Sequence, residues 1–476
     1  MKREAVTATL WSGLDVGLRQ VFTFILSIVL ARLLAPEEFG IYALLSLFTA
    51  IATVISQGGF SAALIQKKDA TYMDECTVFW AVLILSLTVG LCFVFCGPLF
   101  AQLYSKPILI PLSIIAGINV FIASFGSIQT TLFTKRLQFK AQMVVALAAT
   151  VLSGAVAIYG AWSGWGVWAL ALQSLTSTIT YTLGIWLISK WRPSFSFSLD
   201  SLRALWGFGG AMAAVNLLDV AYNRFYTLLI GKLYGVAELG FYNRAVSVRD
   251  LPTQSVGNLL LRAAFPIFSK AADDLSTLRK GLEISVKGLA LVNVPIMLGL
   301  SVTSHSLIHV LYGEKWLPVA PILQILALSG VLWPIQAVNL NALMALGHSK
   351  LFLKLEIIKK LIGLVLTVVG AVFFGIIGLA WFMLLSSIIS FFINTYYSQR
   401  FLSYGFLRQF LDILPLLSCA GVMAFSVAHL SGWLPVISPI AHLFLLVVTG
   451  VLIYVTLCFT FRLEALRVAL ETWRAQ

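Results

Sequence analysis

The chain has 476 residues, of which 60% are hydrophobic and only 11% are charged, and its formal net charge is +13. This composition excludes a soluble globular enzyme and is typical of a polytopic α-helical membrane protein. The positive charge alone would also suit a nucleic-acid-binding protein, but the basic residues occupy alternate loops, so we expect no nucleic-acid partner.

Apolar runs of membrane-spanning length recur from end to end, and we predict about fourteen crossings. The connections are short and carry Pro, Gly or charged residues, as in Ala35–Glu38. The predicted crossings are 8–33, 39–65, 78–102, 108–133, 141–160, 166–189, 205–231, 240–268, 282–304, 318–346, 354–374, 376–398, 410–430 and 437–460.

Lysine and arginine are distributed unevenly between alternate loops. One side includes Lys67, Lys135, Arg192 and Lys350 among many others, whereas the other side has only Arg32, Lys106, Lys232 and Lys315. Basic loops stay on the cytoplasmic side of a membrane, so this asymmetry predicts that both termini are cytoplasmic. An even number of crossings agrees with that topology.

The sequence also repeats itself at an offset of about 200–215 residues. For example, Glu38–Tyr42 recurs as Glu238–Tyr242, and Gly166–Trp168 parallels Gly378–Trp381. Both repeats begin on the same side, so we predict two parallel six-helix lobes around a central cavity, related by an axis along the membrane normal. The predicted divisions are 1–198 and 199–402 for the lobes, and 403–476 for two additional helices and a short cytoplasmic tail.

Ionisable residues concentrate in three of the predicted crossings. The first places Asp15 and Arg19 at i, i+4 spacing, in the order that favours an ion pair. The seventh carries Asp219 and Arg224. The eighth bears a polar stripe that covers about 120° of a helix, formed by Arg244, Ser247, Asp250, Gln254, Asn258 and Arg262.

Such side chains face other helices or a water-filled cavity rather than lipid. Asp250 is the only acid among Arg244, Arg249 and Arg262, and unpaired arginines in a membrane cavity indicate an anionic ligand. The predicted substrate-binding residues are Arg19, Arg224, Arg244, Arg249, Gln254, Asn258 and Arg262. Asp15 and Asp219 are candidates for ion coupling to protons or sodium.

Two structural interpretations stay open beside this one. Asp15 and Arg19 would also suit a buried ion pair that locks one lobe internally. The eighth segment would also suit an amphipathic helix lying on the membrane surface.

No pattern typical of catalysis or metal binding occurs in the sequence. His305 and His309 lack an acidic partner, and the five cysteines lie mostly in apolar runs. There is no phosphate-binding loop for ATP. We therefore predict a protein that is not an enzyme and has neither a metal nor a cofactor.

Several motifs carry a resemblance to a known family. These are LARLLAPEEFGIYAL (Leu30–Leu44), GFSAALIQ (Gly59–Gln66), LGFYNRA (Leu239–Ala245) and YGEKW (Tyr312–Trp316). Over nearly its whole length, the chain resembles the polysaccharide transporters, the Wzx-type flippases of the multidrug/oligosaccharidyl-lipid/polysaccharide exporter superfamily.

The resemblance implies a multi-pass protein of the bacterial inner membrane. Its substrate would be an undecaprenyl-pyrophosphate-linked oligosaccharide, a repeat unit of O-antigen, capsule or exopolysaccharide, moved to the periplasmic leaflet by alternating access. Membrane lipids and other polysaccharide assembly proteins would be its partners. A multidrug or other small-molecule antiporter of the same superfamily is the alternative, although a cationic drug would need an acidic or aromatic cavity. A membrane glycan polymerase or ligase would need a large periplasmic loop, which the sequence does not predict.

Overall fold

The computed structural model describes residues 2–270, 274–433 and 438–467, without the side chains of residues 2–16, 254, 256–267, 269–270 and 349. Across these ranges the regular structure is helical and contains no strand, which confirms the predicted all-α class. The helices are α1 (Lys2–Leu33), α2 (Pro36–Gln57), α3 (Phe60–Gln66), α4 (Tyr72–Tyr104), α5 (Leu109–Phe125), α6 (Ser127–Lys135), α7 (Phe139–Trp162), α8 (Val167–Ile188), α9 (Leu199–Leu233), α10 (Val236–Lys270), α11 (Leu275–Val302), α12 (Ser304–Tyr312), α13 (Val319–Gly330), α14 (Trp333–Ala345), α15 (Ser349–Leu402), α16 (Phe406–Trp433) and α17 (Pro439–Thr460).

The predicted crossings coincide with these helices, although three of them are interrupted. The predicted segment 39–65 consists of α2 and α3, 108–133 of α5 and α6, and 318–346 of α13 and α14. Among the described residues, nine helical segments are long and apolar enough to span a membrane, and ten are if the bent α5–α6 pair is one span. The total of fourteen crossings stays a prediction.

Glycines break the chain at equivalent places in the two predicted repeats. Gly375 interrupts α15 with φ 75° and ψ −169°, which separates the predicted crossings 354–374 and 376–398. Gly166 lies between α7 and α8 with φ 58°, 209 positions earlier (375 − 166). Positive φ favours glycine because it has no Cβ. Both glycines therefore permit a sharp change of direction between the fifth and sixth helices of a repeat.

The chain forms two compact units, Met1–Gly240 and Phe241–Gln476. In the first unit, α4 packs against α5, α7 against α1 and α8, and α9 against α2, α3 and α4. Large apolar side chains such as Phe95 and Leu187 are 80% and 84% exposed, as expected for surfaces that face lipid. The predicted lobe divisions at 198 and 402 stay predictions.

The second unit is built around α11, which packs against α13, α14 and α16. Asn339 and Gln409 exchange two amide hydrogen bonds of 3.0 and 2.8 Å between α14 and α16. Lys287 of α11 forms ion pairs with Asp412 at 3.2 Å and Glu464 at 2.7 Å. The amide pair thus attaches α16 to α14, and the ion pairs attach α16 and the segment that follows α17 to α11.

The first turns of α2 and α10 cross within backbone contact. A Cβ atom added to Gly40 would lie 1.6 Å from the carbonyl oxygen of Val236, and one added to Gly240 would lie 2.1 Å from that of Pro36. The partners are equivalent residues at a repeat offset of 200 (236 − 36 and 240 − 40). Each glycine thus meets the counterpart of the residue that the other glycine meets.

Candidate functional site

A cavity of about 540 Å³ lies inside the first unit, between α1, the α2–α3 junction, α5–α6, α7 and α8. Arg19 is half-buried in its wall, and Gln57 adds an amide. The remaining polar lining is dominated by hydroxyl groups, including those of Ser61, Ser127, Thr130, Thr178, Tyr181 and Thr182. The described side chains that line this cavity include no carboxylate, so its wall is hydroxyl-rich with a single cationic group.

The bend at Gly126 brings much of this wall into place. Helices α5 and α6 meet at Gly126 at 42°. A Cβ atom on Gly126 would lie 3.4 Å from the hydroxyl oxygen of Thr182 on α8. A Cβ at this position would thus be in ordinary contact with Thr182, so the α5–α6 bend packs directly against α8.

The hydroxyl groups on α6 donate to their own helix and leave lone pairs for a ligand. Thr130 Oγ1 donates to the Gly126 carbonyl at 2.8 Å, and Thr134 Oγ1 donates to the Thr130 carbonyl at 2.9 Å. Thr131 Oγ1 donates in the same way to Ser127 at 2.8 Å. A hydroxyl group has one donor hydrogen and two acceptor lone pairs. This wall is therefore suited to accept hydrogen bonds from a ligand that carries many hydroxyl groups.

A second polar cluster lies further along α8 in the same unit. Asn119 Nδ2 donates to Ser174 Oγ at 2.7 Å. The Tyr42 hydroxyl lies close to Ser174 and within electrostatic range of Arg224 on α9. Ser174 and Tyr181 are seven residues apart on α8, or about 10 Å along the helix. Hydroxyl groups thus line α8 between the neighbourhoods of Arg224 and Arg19.

On α10, the predicted arginines have different environments. Arg244 is half-buried and interacts electrostatically with Tyr312. Arg249 forms an ion pair with Asp250, with Nε–Oδ1 and Nη2–Oδ1 distances of 2.8 and 2.5 Å. Its Cγ also lies 3.5 Å from the position a Cβ would take on Gly330 of α13. Asp250, the one acid among the three predicted arginines, is therefore the partner of Arg249, and substrate binding by Arg249 stays a prediction.

The other predicted site residues are described less completely. Asp219 is half-buried on α9. The side chains of Asp15, Gln254, Asn258 and Arg262 lie outside the described residues. Each stays a prediction.

No group of three or more His, Cys, Asp or Glu residues that would hold a metal ion occurs in the described part of the chain.

The hydroxyl-rich face of α8 is the feature that sequence analysis missed. The run from Gln173 to Thr182, QSLTSTITYT, places seven hydroxyl side chains in one segment predicted to cross the membrane. A search for charged residues does not find them, because serine and threonine are uncharged. Their hydroxyl groups can also be satisfied inside a helix by hydrogen bonds to the preceding turn. Their concentration was the available signal.

Comparison with known proteins agrees with this architecture. Residues 29–321 match a family model described as a polysaccharide biosynthesis protein. The teichuronic acid biosynthesis protein TuaB of Bacillus subtilis (strain 168) is 28% identical over 398 residues, which are 80% of each chain. The succinoglycan biosynthesis transport protein ExoT of Rhizobium meliloti (strain 1021) is 28% identical over 308 residues, 64% of this chain and 62% of ExoT.

Among solved structures, the lipid II flippase MurJ in an inward closed conformation matches with a TM-score of 0.79. Sequence identity is 16%, and the match covers 95% of this chain and 99% of MurJ. This likeness establishes the fold of a multi-pass, all-α membrane protein.

Proposed function

Because the chain belongs to the polysaccharide biosynthesis protein family, we propose that it is a flippase for a lipid-linked oligosaccharide. The substrate is a glycan attached through pyrophosphate to a polyprenyl lipid such as undecaprenol, and it moves from the cytoplasmic to the periplasmic leaflet. The family match agrees with the resemblance read from the sequence motifs. ExoT, one of the relatives, is named a transport protein, and transport rather than catalysis is the activity proposed here.

The hydroxyl-rich cavity around Arg19 is the observation that supports this proposal best. A guanidinium group matches the geometry of a phosphate, with two parallel N–H···O bonds. The acceptor lone pairs of Thr130 and Thr131 suit the donor hydroxyl groups of sugars. Thr134 already accepts a hydrogen bond from Gln142 Nε2 at 3.1 Å and keeps one further lone pair. One cation among many hydroxyl groups therefore fits a headgroup that combines phosphate with sugar.

The remaining predicted residues extend this proposal. Arg224, within electrostatic range of Tyr42, would contact the headgroup at another depth along α8. Arg244, Gln254, Asn258 and Arg262 would contribute from α10. Arg249 is a weaker candidate, because Asp250 already neutralises its charge.

The transport cycle would alternate access to a central cavity between two six-helix lobes, 1–198 and 199–402, in an inner membrane with both termini cytoplasmic. Protonation or sodium binding at Asp15 or Asp219 would couple the cycle to an ion gradient. Membrane potential would also assist outward movement of an anion, by about 2.3 kcal/mol per charge per 100 mV. Other proteins of polysaccharide assembly would supply the substrate and polymerise the product.

A multidrug antiporter of the same superfamily is less well supported. A cationic drug requires acidic or aromatic groups, whereas the described wall of the cavity offers one arginine and hydroxyl groups.

Deletion of the gene, followed by analysis of membrane lipids, tests the proposed function. We expect a polyprenyl-linked glycan to accumulate facing the cytoplasm in the deletion strain. The wild-type gene should restore the normal lipid profile, and an Arg19→Ala variant of equal abundance should not. An unchanged lipid profile in the deletion strain would contradict the proposal.

A further inference from the structure

A second cavity, of about 680 Å³, lies on a different face of α6 from the hydroxyl-rich cavity. Ser127, Thr130, Thr131 and Thr134 of α6 face the hydroxyl-rich cavity. The second cavity is lined instead by Gln129, Leu132, Phe133 and Arg136, together with residues from the start of α7 and the end of α8. The two cavities share no lining residue, so the second one is a separate site.

The charge of the second cavity is wholly basic. Arg136, Lys140 and Lys190 are the ionisable residues that line it, and all three are exposed. The sequence contains no aspartate or glutamate between Glu75 and Asp200, so α6, α7 and α8 contain no acid. Within the described residues, neither Arg136 nor Lys190 forms an ion pair. An anionic group is the ligand that this arrangement suits.

The turn between α6 and α7 displays both polar and apolar groups at this site. Leu137 has φ 56° and its side chain is 52% exposed. The left-handed region strains a leucine, because its Cβ approaches the following carbonyl group. Arg136 and Gln138, on either side of this turn, both line the cavity. The strained turn therefore exposes the apolar side chain of Leu137, while Arg136 and Gln138 on either side of it line the cavity.

Apolar surface continues outward from the rim of the cavity. Val144 and Ile188 line the cavity and are 52% and 46% exposed, and the adjacent Leu187 is 84% exposed. These side chains lie near the ends of α7 and α8, where a membrane helix meets the lipid headgroups. A ligand that occupies the cavity can thus keep hydrocarbon chains against the neighbouring apolar surface.

From these observations we infer that the cavity bounded by Arg136, Lys140 and Lys190 binds the headgroup of an anionic phospholipid from the surrounding bilayer. Basic cavities between membrane helices on the cytoplasmic side bind such headgroups. The phosphodiester lies between the cationic side chains, and Gln138 and Ser189 offer hydrogen bonds to headgroup hydroxyl groups. The acyl chains lie along Val144, Leu187 and Ile188. This resident lipid is distinct from the transported one, which under the proposed function binds in the hydroxyl-rich cavity.

Lipid retention tests the inference without any measurement of transport. The protein is purified in detergent after exposure to equal amounts of phosphatidylglycerol and phosphatidylcholine, and bound lipid is counted by native mass spectrometry. We expect wild-type protein to retain phosphatidylglycerol preferentially. The double variant Arg136→Gln/Lys190→Gln should retain at least about tenfold less. The matched control, Lys68→Gln/Arg203→Gln, removes two exposed charges from the same unit outside the cavity and should behave as wild type.

Two further arms keep the outcome decisive. The charge-conserving variant Arg136→Lys/Lys190→Arg should retain phosphatidylglycerol, and if it is folded but retains none, the inference is wrong. Millimolar inorganic phosphate should leave the bound phosphatidylglycerol in place. Displacement of the bound phosphatidylglycerol by phosphate would identify a site for free anions and would overturn the lipid assignment. Equal loss of phosphatidylglycerol from Arg136→Gln/Lys190→Gln and from the control Lys68→Gln/Arg203→Gln would overturn it as well.

Discussion

The crossing of α2 and α10 allows the sharpest test of the packing. In a Gly40→Ala variant the new methyl group would start 1.6 Å from the Val236 carbonyl oxygen, whereas ordinary contact begins near 3.4 Å. The two backbones must therefore separate by about 1.8 Å (3.4 − 1.6). Gly240→Ala requires about 1.3 Å (3.4 − 2.1) at the equivalent contact. Backbone atoms on both sides leave no flexible side chain to move aside.

Overpacking of this kind costs about 1–3 kcal/mol. Gly207→Ala is the matched control, because a Cβ at Gly207 of α9 meets nothing within 4 Å. In a helix interior alanine is favoured over glycine by about 1 kcal/mol, so the control should be neutral or stabilised. The same gain applies at Gly40 in α2 and cancels in the comparison, so the two variants should differ by the overpacking cost of about 1–3 kcal/mol in the free energy of unfolding.

Thermal unfolding in detergent, at one scan rate for all variants, measures this difference. At about 2–4 °C per kcal/mol, the midpoint of Gly40→Ala should lie at least about 2 °C below that of Gly207→Ala. A midpoint for Gly40→Ala equal to or above that of the control would show that the two helices do not cross in backbone contact.

Three further predictions concern individual side chains. Thr130→Val keeps the side-chain volume but removes the acceptor lone pairs, so we expect a several-fold loss of glycan export at unchanged abundance. Arg19→Lys keeps the positive charge and should keep more export than Arg19→Ala. Equal export from all three variants would contradict the role of the cavity. Tyr42→Phe removes the hydroxyl group near Ser174 and Arg224, so we expect it to reduce glycan export. Export equal to that of wild type at matched abundance would contradict a role for this hydroxyl group in positioning the headgroup. Hydrogen bonds from Thr277 and Ser276 lower the pKa of Asp274, the N-cap of α11, to about 2. A carboxyl group with a lowered pKa stabilises the folded state at pH values above its pKa in the unfolded chain, about 3.9. In unfolding scans, the stability advantage of wild type over Asp274→Ala should therefore disappear as the pH falls from about 4 to about 2. An advantage that persists at pH 2 would refute the assignment.

Much of the helical framework could be predicted from the sequence, because lipid requires every spanning segment to satisfy its own backbone hydrogen bonds. Long apolar runs therefore correspond to α4, α7, α16 and α17. The break at Gly375 was also predictable, since it follows one apolar run and precedes another of sufficient length. The interruption of single apolar runs by Gly58–Gly59 and at Gly126 was not predicted, because apolar periodicity continues across both sites.

The candidate site was less predictable, since it depends on which side chains meet in space. Arg19 was identified by its charge and does line a cavity. The wall opposite it, formed by hydroxyl groups of α6 and α8, gives no charge signal and was missed. The sequence places one acid, Asp250, among Arg244, Arg249 and Arg262 but does not show which arginine it pairs with, and the structure pairs it with Arg249.

Transport by the purified protein tests the central proposal most directly. The protein is reconstituted into vesicles that contain a polyprenyl-pyrophosphate-linked oligosaccharide with a fluorescent label on the glycan, and a membrane-impermeant quencher reports the leaflet. With wild-type protein we expect the label in the inner leaflet to become accessible to the quencher outside, and Arg19→Ala protein should leave it largely protected. If accessibility is the same in vesicles with wild-type protein and in protein-free vesicles, the chain does not flip this class of lipid and the proposed function is wrong.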